Sequence, residues 1–169
     1  EILERLRANS AEVGPADANW VSAPLAELTG HIRSKHHRYV REAIPRISGL
    51  LAKVKAKHEA HHPEILQVEA FFRELSLEML MHMQKEEQIL FPYIEALERS
   101  LSGKETPEPP FFLTVRNPIH AMMKEHDVAG GLTKQIREAT SNYATPEDAC
   151  ASYQALYRDL REFEADLHP

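Results

Sequence analysis

Four stretches of this chain carry apolar side chains at steps of three and four. In the second, Val68, Phe72, Leu75, Met79, His82, Glu86, Ile89 and Tyr93 fall on one face, the seam of a helix packed in a bundle. All but two of these positions are apolar or aromatic. The exceptions, His82 and Glu86, are one helical turn apart in the middle of the seam. A carboxylate drawn into a core is costly unless an opposite charge compensates it, and a metal ion does so best. A seam that turns polar at two neighbouring positions therefore offers ligands.

The other helices follow from the same periodicity. Helix one spans about 23–58. Its first half carries the stripe Leu25, Leu28, Ile32, and its second half His37, Val40, Ile44, Ile47, Leu51 and Val54. Pro45 lies inside it and is expected to kink it, because it removes a backbone donor and crowds the preceding turn. A turn follows, and His58, His61 and His62 in it read as solvated loop residues. Helix two spans about 64–101. Gly103, Pro107, Pro109 and Pro110 mark a loop that ends at Asn117-Pro118, a capping residue followed by a first-turn proline. Helix three runs from about 118 to 140, with Ile119, Met122, His126, Ala129, Thr133 and Ile136 on its seam. Thr145-Pro146 predicts the start of helix four, whose seam is Ala149, Tyr153, Leu156, Leu160, Phe163 and Leu167. Alternating β-branched runs are missing. The pattern predicts an all-α, antiparallel up-down-up-down four-helix bundle over 23–169. Residues 1–22 read as a linker and the end of a missing N-terminal domain. The first residue is Glu1 rather than methionine, which suggests a fragment or a processed product.

Composition narrows the chemistry. The chain has 169 residues, 43% hydrophobic and 27% charged, as in an ordinary single globular domain. A formal net charge of −6 gives no basic footprint for nucleic acid. No apolar run approaches the roughly 18 residues of a membrane span, and no signal peptide opens the chain. A lone Cys150 excludes an internal disulfide and a thiolate cage, and suits a reducing cytoplasm. Ten histidines beside it direct attention to a site of nitrogen and carboxylate donors.

Three seams carry a histidine where an apolar residue is expected: His37, His82 and His126, with Glu86 as the carboxylate. Imidazoles and carboxylates aimed from several helices at one interior point are how bundles bind metal. Without thiolate, the set suits iron, manganese or zinc, and a carboxylate can bridge two ions. Periodicity leaves His36 and His37 nearly even, because the stripe from Leu25 through Ile32 leads to His36. His31 and His120 read as surface groups or supports. Glu87 and Glu125 lie beside ligands but off the seam, as solvated or supporting groups. The Met79, Met81, Met83 cluster reads as packing, and Cys150 as a small core residue. The spacings Glu59–His62 and Glu164–His168 lie off the seams, which disfavours a ferritin-like oxidase.

Several motifs, in order, resemble a known family. The run from Ala18 to Leu28 (ANWVSAPLAEL), then His31, His36-His37 and Arg41-Glu42 before Pro45, is similar to the opening of the hemerythrin-like domain of the iron–sulfur cluster repair di-iron proteins. The run 82–92 (HMQKEEQILFP) resembles that domain's most distinctive stretch. Residues 118–127 (PIHAMMKEHD) resemble its third-helix motif, and 148–157 (DACASYQALY) the start of its fourth helix. The resemblance implies two non-haem iron ions, carboxylate-bridged. Its ligands fall on His37, which breaks the tie with His36, and on His82, Glu86 (the bridge) and His126. Gly130 stands where oxygen carriers place a further histidine, which counts against an oxygen carrier.

The resemblance also implies a function. It points to a cytoplasmic stress-response protein that repairs iron–sulfur clusters damaged by nitric oxide or oxidants, by iron donation to iron–sulfur proteins. A nitric oxide-reducing di-iron enzyme and a di-iron sensor of nitric oxide or oxygen are the alternatives. The family's fourth-helix ligands fall beyond Pro169. His168 shares a face with Glu164 and Tyr157, about 100° from Leu167. The site is therefore expected to be incomplete in this chain, with its fourth-helix quadrant open.

Overall fold

The computed structural model describes residues 20, 23–101, 103 and 116–167. Helix α1 consists of α-helical segments Leu25–Ile32 and Arg38–His58 joined by a π turn, Arg33–His37. Helix α2 is built the same way: Glu64–Lys85, a π turn Glu86–Leu90, then Phe91–Leu101. Helices α3 and α4 are Arg116–Ala139 and Ala151–Leu167. No strand occurs among the described residues. Helix α2 packs on α3, and α1 packs on both α4 and α2, which gives the four-helix bundle the periodicity predicts.

The main core fills the middle of the bundle. Val40, Ile47, Leu51 and Val54 of α1 meet Ile65, Val68, Phe72 and Leu75 of α2, Leu132 and Ile136 of α3, and Tyr153, Leu156, Leu160 and Phe163 of α4. A smaller apolar layer closes one end: Leu90, Phe91 and Met122, with Ile32 and Ile94 against them. Between the two layers α1, α2 and α3 each present polar side chains. Pro45 sits exposed within the unbroken Arg38–His58 segment.

Three details differ from expectation. In a π turn the bond reaches i→i+5, so more than four residues pass before the same face returns. After Glu86 the buried positions are therefore Leu90 and Phe91, and the expected Ile89 and Tyr93 are only half-buried. Helix α4 begins at Ala151, not at Thr145-Pro146. Ser141, Asn142 and Tyr143 take three consecutive left-handed conformations (φ 49, 61 and 59°), which end α3 and fold the connection back. The Cys150 carbonyl then accepts the first helical bonds, from the N–H groups of Tyr153 and Gln154. Ile119, expected on the α3 seam, is 37% exposed near the start of that helix.

Candidate metal centre

The π turn in α1 carries the apolar stripe of Leu28 and Ile32 one residue further than α-helical spacing would. It brings His37 inward, where it is 4% exposed, and leaves His36 half-buried. His37 Nε2 lies 3.0 Å from Glu86 Oε2, and its ring stacks on Phe91 at 5.7 Å. His36 turns to α4 instead, with Nδ1 at 3.0 Å from Asp166 Oδ1. On α2, His82 is 5% exposed, and its Nε2 lies 3.4 Å from Glu86 Oε1. From α3, His126 Nε2 approaches His82 Nε2 at 3.0 Å. His126 is exposed, so the described part of the site opens toward solvent on the α3 side.

Glu86 thus sets one carboxylate oxygen against the histidine of α1 and the other against that of its own helix. Donor atoms of His82, Glu86 and His126 lie within 4.8 Å of one another. His37 joins them through the second oxygen of Glu86. The four residues singled out by sequence are thus linked through Glu86, with His37 on one of its oxygens and His82, in turn beside His126, on the other.

Glu87 and Glu125 support this arrangement. His37 Nδ1 donates to Glu87 Oε1 at 2.7 Å, and Glu87 Oε2 accepts from Arg41 at 2.8 Å. His82 Nδ1 donates to Glu125 Oε2 at 2.9 Å, and Lys85 pairs with the other oxygen of Glu125. A carboxylate on Nδ1 fixes the tautomer and aims Nε2 inward, as it does for metal-bound histidines. His31 instead packs beside Trp20, with ring centroids 4.4 Å apart, and His120 is exposed.

The electrostatics follow from these contacts. Burial opposes the charge of Glu86, but hydrogen bonds from His37 and His82 outweigh it and hold the carboxyl at about 2. Burial likewise opposes a proton on His82, yet its bonds to Glu86 and Glu125 raise the imidazole above its ordinary value. His126 goes the other way, lowered by burial and by the neighbouring His82. The Arg41 hydrogen bond keeps Glu87 ionised. An ionised, partly buried carboxylate flanked by inward-facing imidazoles is a donor set that fits divalent or trivalent transition metals.

A second cluster was missed by sequence reasoning. His58 and His62 are not solvated loop residues: His58 is 7% exposed, and the His62 side chain is 16% exposed. They meet Asp148 across the turn, while His61 alone stays exposed. A turn position is polar by default, and nothing local reveals that the connection after α3 folds back over it. Met83 is buried and Met79 packs on the core, as expected, but Met81 is 51% exposed. Cys150 packs against the core edge, with Sγ 3.2 Å from His58 Nε2. The expectations for His168 and for residues 1–19 lie outside the described residues. Among the described residues, no helix is long and apolar enough to cross a membrane.

Comparison with known proteins agrees with this architecture. The hemerythrin HHE cation binding domain matches residues 31–169. The iron-sulfur cluster repair protein YtfE of Escherichia coli strain K12/DH10B is 34% identical over 168 residues, which is 99% of this chain and 70% of that protein. The protein of the same name from Shigella boydii serotype 18 matches to the same extent. With a bundle of four helices that directs histidines and a carboxylate between two apolar layers, and a family match over most of its length, the chain belongs to the hemerythrin HHE cation binding domain family.

Proposed function

We propose that this chain is the metal-binding domain of an iron–sulfur cluster repair protein, and that it holds two iron ions and gives iron to damaged clusters. His37, His82, Glu86 and His126 are the ligands, with Glu86 as the bridge. The observation that carries this reading is the placing of Glu86, with one oxygen toward the imidazole of α1 and the other toward that of α2. The similarity to proteins named for iron–sulfur cluster repair supplies the recipient class. When bound, iron supplies the cargo and, in ferrous form, affinity for nitric oxide and oxygen.

The residues suit a donor more than a permanent cage. His126 is exposed on α3, which gives an ion a way out on the described side of the site. The remaining donors reach one another: His37 with Glu86, and His126 with His82. An ion can therefore leave without stranding a buried carboxylate, which would otherwise cost several kcal/mol. Glu87 and Glu125 keep both imidazoles aimed inward throughout. On this reading the chain acts in a reducing cytoplasm during nitrosative or oxidative stress.

Incubation of the iron-loaded protein with a cluster protein damaged by nitric oxide tests the reading. Iron moving to the recipient, with recovery of its cluster absorbance, is expected from the unaltered chain and not from the double variant His82→Ala, Glu86→Ala. Recovery at the same rate with that variant would overturn it.

A further inference from the structure

At the far end of α1 a second group of metal-binding side chains converges. His58 ends the 21-residue helical segment that follows the π turn, about 31 Å from His37. The group is therefore separate from the centre built on Glu86. His62 comes from the turn, and Asp148 and Cys150 from the segment before α4. Donor atoms of His58, His62 and Asp148 lie within 4.8 Å of one another. His62 Nε2 is 2.9 Å from Asp148 Oδ1, and His58 Nε2 is 3.2 Å from Cys150 Sγ.

The surroundings are those of a built site. Glu64 Oε1 accepts from His62 Nδ1 at 3.0 Å, which leaves Nε2 facing Asp148. This is the carboxylate support that orients metal-bound imidazoles. The buried Tyr153 packs edge-on against both rings, with centroids 5.3 Å from His58 and 5.4 Å from His62, and its hydroxyl reaches Glu64 at 3.4 Å. Tyr153 thus holds both imidazoles from the side, and Glu64 holds that of His62 from behind.

We propose that His58, His62 and Asp148, with the Cys150 thiolate as fourth donor, form a second site for one zinc-type divalent ion. Two nitrogens, one carboxylate oxygen and one sulfur suit tetrahedral zinc; magnesium and calcium prefer all-oxygen shells. The His62–Asp148 and His58–Cys150 edges, 2.9 and 3.2 Å, need small expansion around bonds of roughly 2.0–2.3 Å. Cys150 stands outside the tight group of three, so its side chain would close on the ion as the fourth donor. His58-Glu-Ala-His-His62 has the H-E-x-x-H spacing of zinc peptidases. Here, however, the helix ends at His58 and Glu59 is exposed, so the spacing serves a clip rather than a hydrolase. The ion would tie the α1–α2 turn to the start of α4.

Zinc retained per chain after gel filtration of the iron-loaded protein is the measurement. One tightly held zinc is expected in the unaltered chain and in His82→Ala. In Asp148→Asn the affinity is expected to fall at least about 100-fold, since losing a ligand costs no less than losing a support. Asp148 has a 58% exposed side chain, so this variant folds even if a His58 variant does not. Cobalt in place of zinc should give a thiolate-to-metal absorption band, absent in Cys150→Ser. Equal zinc in Asp148→Asn and the unaltered chain, loss of zinc in His82→Ala alone, or a cobalt complex with no thiolate band would overturn the proposal. No retained zinc at all would do the same, and would reduce the cluster to a hydrogen-bonded histidine pair. Iron content, read in parallel, reports on the Glu86 centre independently.

Discussion

Glu86 decides the chemistry of the centre because, among the described residues, it is the carboxylate that contacts the histidines of two helices. Glu86→Ala should therefore abolish iron binding, whereas His82→Ala should leave at most one weakly held ion. His36→Ala, whose partner is Asp166, should leave the iron-to-protein ratio unchanged. Iron determination on purified variants with matched circular dichroism checks all three, and full iron in Glu86→Ala would refute the bridging role. Glu125 acts through His82 by holding Nδ1, so Glu125→Gln should weaken metal binding by about 10–100-fold without removing a ligand. Chelator competition reads that change directly.

The pH dependence has a definite sign. Glu86 stays ionised down to about 2, so its protonation does not drive release in mild acid. His82 is raised, so in the folded chain its proton begins to compete with metal above the ordinary imidazole value of roughly 6.5. For folding without metal, the raised value stabilises the chain below the unfolded pKa, and that contribution is lost as pH rises through the folded one. For metal binding the same proton is a rival. Affinity should fall by about tenfold per pH unit once His82 protonates, and faster still when His126, which is lowered, follows at more acid pH. Affinity measured by chelator competition that stays flat from pH 8 to pH 5 would contradict this.

At the scale of the element, the two π turns set the geometry. A sequence read at α-helical spacing places Ile89 and Tyr93 on the seam and cannot separate His36 from His37. The structure inserts an extra residue at 33–37 and at 86–90, and Leu90 and His37 turn inward. Nothing in the residue types announces a π turn, because it forms when tertiary contacts on both sides outweigh the poorer hydrogen bonding. The apolar pattern on either side was legible; the phase between the halves was not. Helix α4 was misplaced at its start for a related reason. Pro146 suits a first helical turn, but Asp148 is held by His62 and the chain becomes helical only at Ala151. Insertion of an alanine after the exposed Gln88 tests the phase that the π turn of α2 sets. A further residue should rotate all that follows by about 100°. Phe91 would leave its pocket, costing about 1.5–3 kcal/mol, and Glu95 would lose Thr29 and Arg33. Deletion of Gln88 removes the extra residue and returns the turn to α-helix in phase, so it should cost far less. A thermal midpoint lower by several degrees for the insertion than for the deletion, with unchanged helix content, is the expected result, and equal midpoints would show that the phase is incidental.

Across the whole molecule, the main core and the candidate metal centre occupy different layers. The largest fully buried side chains include Tyr153, Phe72, Phe163, Ile47, Leu51 and Ile65, and these lie on the side of the centre away from Leu90, Phe91 and Met122. Small metal domains unfold when the ion is removed because they have little else to bury. This bundle has an apolar core that makes no use of the ligands, so folding and metal binding should be separable. Phe163→Ala should cost about 3–5 kcal/mol through the cavity it opens between α1, α2 and α4. For a chain of this length that lowers the thermal midpoint by roughly 6–20 °C, at about 2–4 °C per kcal/mol. The protein that remains folded should still take up iron in the usual ratio. Glu86→Ala should do the reverse, with iron lost and the midpoint of the metal-free protein shifted by far less, because the histidines it leaves, His37 and His82, keep their bonds to Glu87 and Glu125. Scanning calorimetry and iron determination on the same two preparations give both readouts. If Glu86→Ala unfolds the metal-free chain, or if Phe163→Ala loses iron in proportion to stability, then the two layers form a single cooperative unit and the separation argued from packing fails.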